Sequence, residues 1–443
     1  MAAAVAAGGL AAVVVLAAAP LLLGRGQGNG PVDSPGPVVP STVYPPLTGE
    51  DTIVDEPPGP AAILIAGDHE LRGMDFWGGE GRSLLVSQRG SYRLARSAYE
   101  LSTGIGGGML LSPDGRYLAG SLTMEGAKEP SPDRVQAAVF DLVAGTMRQY
   151  DGGYPMAWSP NGDSILVHTL PATGEVVHPH TFGELRLLSM TTGQARPLPR
   201  IEGGLRDGNF AGFSPDGRRL AVATTTALHL IDLVDNSQIK LADLTESDRL
   251  AGPGAWLPDG KRIAMYSING CVRGECDEAA LRQRQFHIRY LDADTGQRAT
   301  GPALAPAQGL AARVLGWQRD GSAVVVVHSP ENRFSADVDD PGLETDWAAI
   351  GGVELMAFQP GGGRRRLVNL PSSALFVDVP TSLLDRFGAP APSRLEGTAR
   401  RTLAFWWPLG QLALYMAILI AAVIGLSLWA RRVGQRTTTD PSR

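Results

Sequence analysis

The chain has 443 residues, 44% of them apolar, and a formal net charge of −6. A mildly acidic balance offers no basic patch for a phosphate backbone and so argues against a nucleic-acid binder. The length exceeds that of a usual single domain but suits one closed array of repeats.

Residues 1–23, "MAAAVAAGGLAAVVVLAAAPLLL", are uncharged and read as a membrane anchor or a signal peptide. A signal peptide wants a basic n-region and a clean small-residue cleavage site. No basic residue is present, and a cut after "AAA" would leave Pro20 first, so an uncleaved anchor is the expectation. Residues 24–60 carry Pro and Gly throughout with little apolar periodicity. They are expected to form a stiff, extended spacer holding the rest off the bilayer.

From residue 61 to 385 the chain repeats itself. "LLSPDGRYLAG" sets a strand, a turn at Ser112-Pro-Asp-Gly115 and a second strand. The same punctuation returns at Trp158–Gly162, Phe213–Gly217, Trp256–Gly260 and Trp317–Gly321, each time before an apolar run. Proline pre-sets φ at the first central position, Asp or Asn suits the second, and Gly accepts the positive φ that follows. Between these copies lies a second kind of hairpin, as in "VFDLVAGTMRQY" and "RYLDADTGQRAT", turning on Thr-Gly or its like. Two hairpins make a four-stranded unit, and a period of roughly 40–60 residues without helical patterning indicates propeller blades. The aromatic residue before the turn, Trp158, Phe213, Trp256 or Trp317, recurs once per repeat, as blade-to-blade packing residues do. The rival reading of these four is an aromatic ligand box.

The Trp/Phe-Ser-Pro-Asp-Gly-Arg-x-Leu-Ala/Val pattern followed by Asp-x-x-Thr-Gly resembles the TolB-type, WD-repeat-like β-propeller over roughly Pro60 to Leu384. The resemblance implies an all-β propeller of four-stranded antiparallel blades and protein–protein contact in the cell envelope. It does not carry over a partner, because TolB proteins are soluble and have a separate N-terminal domain where this chain has apolar runs. Six Thr-Gly-type and five Pro-Asp-Gly-type hairpins suggest six blades, with seven left open. The missing hairpin is sought in "AAILIAGDHELRGMDFW" near the start or in "SSALFVDV" near the end.

In blades whose strands a to d run outward from the axis, the a–b and c–d turns share one face. Here those turns are short and uniform. The b–c connections on the other face are long and unlike one another, except for "TTTALH". Long irregular loops on a rigid scaffold are where binding concentrates, so the long-loop face is the expected recognition face. Its candidates are His178 and His180, the acidic run Asp337, Asp339 and Asp340, and Asp151 and Asp207 near the channel mouth. Two histidines fall short of a zinc set, and the acidic run lacks the spacing of a calcium loop. No metal and no cofactor is expected. Cys271 and Cys276, in "NGCVRGEC", are expected to form a disulfide.

Residues 386–402 read as a juxtamembrane linker. Residues 403–430, "LAFWWPLGQLALYMAILIAAVIGLSLWA", carry no charge and have tryptophans at both ends, which predicts a transmembrane helix. The basic tail 431–443, with Arg431, Arg432, Arg436 and Arg443, is expected in the cytoplasm and the propeller outside it. No G-x-S-x-G or H-E-x-x-H occurs. The sequence therefore indicates a membrane-tethered, extracytoplasmic module that binds a cell-envelope protein or a small ligand. The competing reading is an enzyme or small-ligand sensor with its site in the axial channel, on the long-loop face.

Overall fold

The computed structural model describes residues 36–45, 51–67, 83–95, 109–123, 135–151, 153–169, 184–202, 204–205, 210–272, 275–332, 335–337, 349–389, 409–427 and 429. Six four-stranded antiparallel blades follow one another around an axis, and one of them carries an extra strand, Ala307–Gln308, at its edge. Blades two to six begin with the innermost strands Met109–Leu111, Tyr154–Trp158, Ala211–Phe213, Asp248–Leu250 and Ala311–Trp317. The first blade is closed from both ends of the repeat array. Ala374–Asp378 supplies its innermost strand and Ala61–Gly67 the next, with Leu64 opposite Asp378 and Ile65 opposite Val377. Each of the two segments that competed for the missing hairpin thus gives one strand, and the described residues form no seventh blade.

The recurring turn is an architectural device. Gly115 closes the first copy by donating from its N–H to the carbonyl of Ser112 at 2.8 Å. Ser112 Oγ donates to Asp114 Oδ1 at 2.6 Å and accepts from the Tyr117 N–H at 2.8 Å, while Arg116 N–H donates to the same carboxylate at 2.9 Å. Ser159 and Asn161 repeat this knot, as do Ser214 and Asp216. The side-chain hydroxyl and carboxylate of the motif are thus engaged by the turn itself, while its outward carbonyls accept from neighbouring segments. Gly115 has φ +76°, and a Cβ there would lie 2.2 Å from the Ala61 carbonyl oxygen, so the turn also admits the neighbouring blade.

The aromatic residues before the turns bind each blade to the one before it. Trp158 Nε1–H donates to the Leu110 carbonyl at 3.2 Å, Trp256 to Gly212 at 2.9 Å and Trp317 to Gly254 at 2.9 Å. In each case the acceptor lies beside or within the inner edge of the preceding blade. Phe213, which has no N–H, holds the same place in the fourth blade and is buried. Trp256→Phe should keep the packing but remove the second donor to the Gly212 carbonyl, which the strand ladder still pairs, at a cost of about 0.5–1.5 kcal/mol. Denaturant unfolding of the two proteins measures it.

The Pro-rich segment is not a free spacer where it is described. Val39 and Ile53 are fully buried. Val39–Pro40 pairs in parallel with Phe387–Ala389, and Val43 N–H donates to the Asn369 carbonyl at 2.9 Å. Ile53 N–H donates to the Leu94 carbonyl at 2.9 Å, covering the outermost strand of the first blade, Tyr92–Leu94. Scattered apolar side chains among the prolines are enough to seat the segment on an otherwise open sheet edge. The same pairing makes residues 387–389, expected to be linker, part of the propeller's surface.

Among the described residues one helix, Leu409–Ser427, has the length and apolar character to cross a membrane, and none of its most apolar window is buried against the propeller. The N-terminal run 1–23 and the tail 431–443 lie outside the described residues.

Candidate functional site

The axial channel opens on the short-turn face as a basin of about 250 Å³. All six blades contribute to it. Three tryptophans, Trp158, Trp256 and Trp317, and Phe213 form an aromatic tier. The prolines of the turns, Pro113, Pro160, Pro215 and Pro258, stand around them. Turn residues that look purely architectural in sequence therefore also make a concave, apolar surface, because successive copies set their turn prolines around one axis. Among the described residues lining the basin, Asp378 is the sole ionisable group. Apolar lining with few polar groups is the make-up of a binding site rather than of a catalytic constellation.

Beneath the basin lies a buried polar cluster at the seam between the sixth and first blades. Asp378 is 7% exposed, and its Oδ2 accepts from the Leu111 N–H of the second blade at 2.8 Å. Arg313 is 4% exposed; it donates to the Val377 carbonyl at 2.5 Å and lies 4.7 Å over the Phe376 ring. His328, 3% exposed on the strand Ala323–Pro330, makes no hydrogen bond from either ring nitrogen among the described residues. Burial raises the Asp378 carboxyl above its ordinary range, opposed by the positive charge of Arg313 and by backbone N–H donors. Burial together with Arg313 pushes His328 down to about 3, so its ring is neutral. The cluster ties the closing strand to blades on both sides, which is a structural task. Sequence reasoning passed over these three residues. The available signal was a single charged or imidazole group inside apolar strands, "AARVLGW", "AVVVVHSP" and "ALFVD".

On the opposite face, two of the long loops hold one another. Glu275–Asp277 of the fifth blade pairs antiparallel with Ser335–Asp337 of the sixth, with Cys276 opposite Ala336. Cys271 and Cys276 are disulfide-bonded, their Cα atoms 6.2 Å apart, and Cys276 is buried. The short helix Glu278–Gln283 follows, capped by Asp277 Oδ1 accepting from the Ala280 N–H at 2.8 Å, and buries Leu281. Replacing both cysteines with serine should cost about 2 kcal/mol by restoring the loop entropy of the unfolded chain, readable as a lower denaturant midpoint.

The candidates named from sequence are not gathered into one site among the described residues. Asp337 is held in the loop–loop pairing and Asp151 ends the strand Thr146–Asp151. His178, His180, Asp207, Asp339 and Asp340 lie outside the described residues.

No family model matches the chain, and no curated protein matches it. Solved structures similar to it include TolB from Acinetobacter baumannii, at 14% identity over 69% of this chain and 65% of that one, with a TM-score of 0.34. A putative TolB from Agrobacterium tumefaciens is 15% identical over 75% of this chain and 99% of that one, TM-score 0.35. An oligogalacturonate lyase in complex with manganese is 15% identical over 74% of this chain and 78% of that one, TM-score 0.40. The chain spans 65% of the first of these and 43% of a prolyl endopeptidase it also matches. Neighbours of such different chemistry, at these identities, assign no activity. By its own strand pairing and its repeated turn, the chain is a six-bladed β-propeller.

Proposed function

We propose that this propeller is a membrane-tethered, extracytoplasmic interaction module whose working surface is the axial basin on the short-turn face. The observation that carries the proposal is the lining: aromatic and proline side chains from successive blades, with Asp378 as the one carboxylate. Such a surface suits an apolar stretch of a partner polypeptide, where aromatic burial supplies affinity. The tether rests on Leu409–Ser427, an apolar helix of 19 residues long enough to cross a bilayer. The Cys271–Cys276 disulfide supports an oxidising compartment.

The compartment is tested on intact cells with Thr226→Cys, an exposed turn position away from the basin. Both native cysteines are paired and stay silent. Labelling by a membrane-impermeant maleimide before lysis is the expected result. Labelling only after lysis would put the propeller in the cytoplasm and remove this reading.

A further inference from the structure

We infer that the short-turn face, with its basin, looks toward the bilayer, so that its partner is the membrane-proximal segment of an integral membrane protein. The inference rests on the tethered-module reading above and concerns which way the module points.

The segment that leads toward the C-terminal helix crosses the short-turn face before leaving the propeller. After the closing strand Ala374–Asp378, Thr381 and Leu384 form part of the basin wall. Ser382 N–H donates to the Pro113 carbonyl in the second-blade turn at 3.0 Å. On the other side Gln318 Nε2 donates to the Leu384 carbonyl at 2.5 Å, and Arg319 N–H donates to Asp385 Oδ1 at 2.8 Å, both from the sixth-blade turn. Leu384 is buried against a glycine: a Cβ on Gly316 would lie 2.5 Å from Leu384 Cδ1. The strap is therefore a seated part of this face.

The N-terminal flank is bound at the same place. Val39 N–H donates to the Arg386 carbonyl at 2.7 Å, and Val39–Pro40 runs beside Phe387–Ala389. Gly59 N–H donates to the Leu142 carbonyl, and Ala61 N–H to the Gly115 carbonyl, so the chain also enters its first strand from the turn side. Both flanks of the repeat array leave from the turn side, while the disulfide-stapled loops stand on the other. Residues 390–408 connect the strap to the helix and reach roughly 60 Å at full extension. The shortest arrangement sets the turn face toward the membrane, and the opposite one stretches this connection around the rim of the propeller.

The fourth blade offers a matched pair of probes. Val234, 70% exposed, sits on its turn-face loop, and exposed Thr226 on the opposite face of the same blade. Its strands of six residues, at about 3.3 Å each, separate the two by roughly 20 Å. Val234→Cys and Thr226→Cys are made in the full chain, labelled with a donor dye without reductant, and reconstituted in liposomes carrying a headgroup acceptor. Greater energy transfer from position 234 is expected. Equal transfer, or greater transfer from 226, overturns the inference and leaves the interaction reading standing. A chain that does not float with the liposomes overturns the tether itself.

The partner class is read from a photoreactive residue at exposed Thr381 in native membranes. An adduct that survives carbonate washing of the membranes before irradiation supports an integral partner. An adduct abolished by that washing identifies a peripheral or soluble partner and contradicts the inference.

Discussion

Arg313→Ala is expected to destabilise the propeller by about 3–5 kcal/mol, the usual consequence of removing one charge from a buried, mutually compensating set. The side chain does three things at once. It donates to the Val377 carbonyl, covers the Phe376 ring and supplies the positive charge that opposes the burial cost of Asp378. All three contacts are to the closing strand, so the loss falls on the seam where the ring is shut. The deficit should shrink in acid. Without the arginine, Asp378 rises further above the ordinary carboxylate range and takes up its proton more readily, which removes the uncompensated charge as pH falls toward about 4. Arg313→Met with Asp378→Asn should lose less than Arg313→Ala alone, because neither site then holds an unpaired charge. Denaturant unfolding at neutral and mildly acidic pH reads both effects. A loss below about 1 kcal/mol for the single variant would mean that the seam is held by packing alone.

His328→Leu should give the second large effect, with the opposite sign. The imidazole is buried, has no partner at either nitrogen among the described residues and faces the charge of Arg313. An apolar side chain of similar size removes that unsatisfied burial. The pH dependence is the sharper signature. The folded state keeps His328 neutral down to about 3, whereas the unfolded chain protonates it near 6.5. Between those values the unfolded state binds the extra proton, so stability is complete above about 6.5 and is lost as pH falls. The slope is about 1.4 kcal/mol per pH unit from this one group. The leucine variant lacks the term, and its advantage over the wild type should widen at that rate below about pH 6.5. Unfolding midpoints between pH 7 and pH 4.5 test it; parallel curves would show that His328 finds its proton at an ordinary pH in the folded state.

The fold was largely legible because its period is written in local chemistry. The turn ending in Asp-Gly or Asn-Gly is set by local chemistry, closed by a serine knot in three of its five copies, so all five could be read without any tertiary knowledge. Ring closure was not legible, since pairing Leu64 with Asp378 joins strands from opposite ends of the array and nothing local to either announces the other. Nor was the docking of Val39 and Ile53, which depends on an exposed sheet edge that exists only once the first blade is closed. The basin has a similar origin. Trp158, Trp256 and Trp317 were rightly expected at the contacts between blades, yet the same residues line a cavity because the repeat wraps around one axis. Periodicity identified the packing role; only the closed ring gives the second.

The central claim is that the short-turn basin receives a polypeptide partner. The most direct test is site-specific photocrosslinking in intact cells from Met156, which lines the basin, compared with Thr226 on the opposite face. A discrete adduct from position 156, absent from 226 and lost when Leu315→Arg is introduced elsewhere in the basin lining, is the predicted result. Discrete adducts from position 226 with none from 156 would contradict the account and return the working surface to the long-loop face.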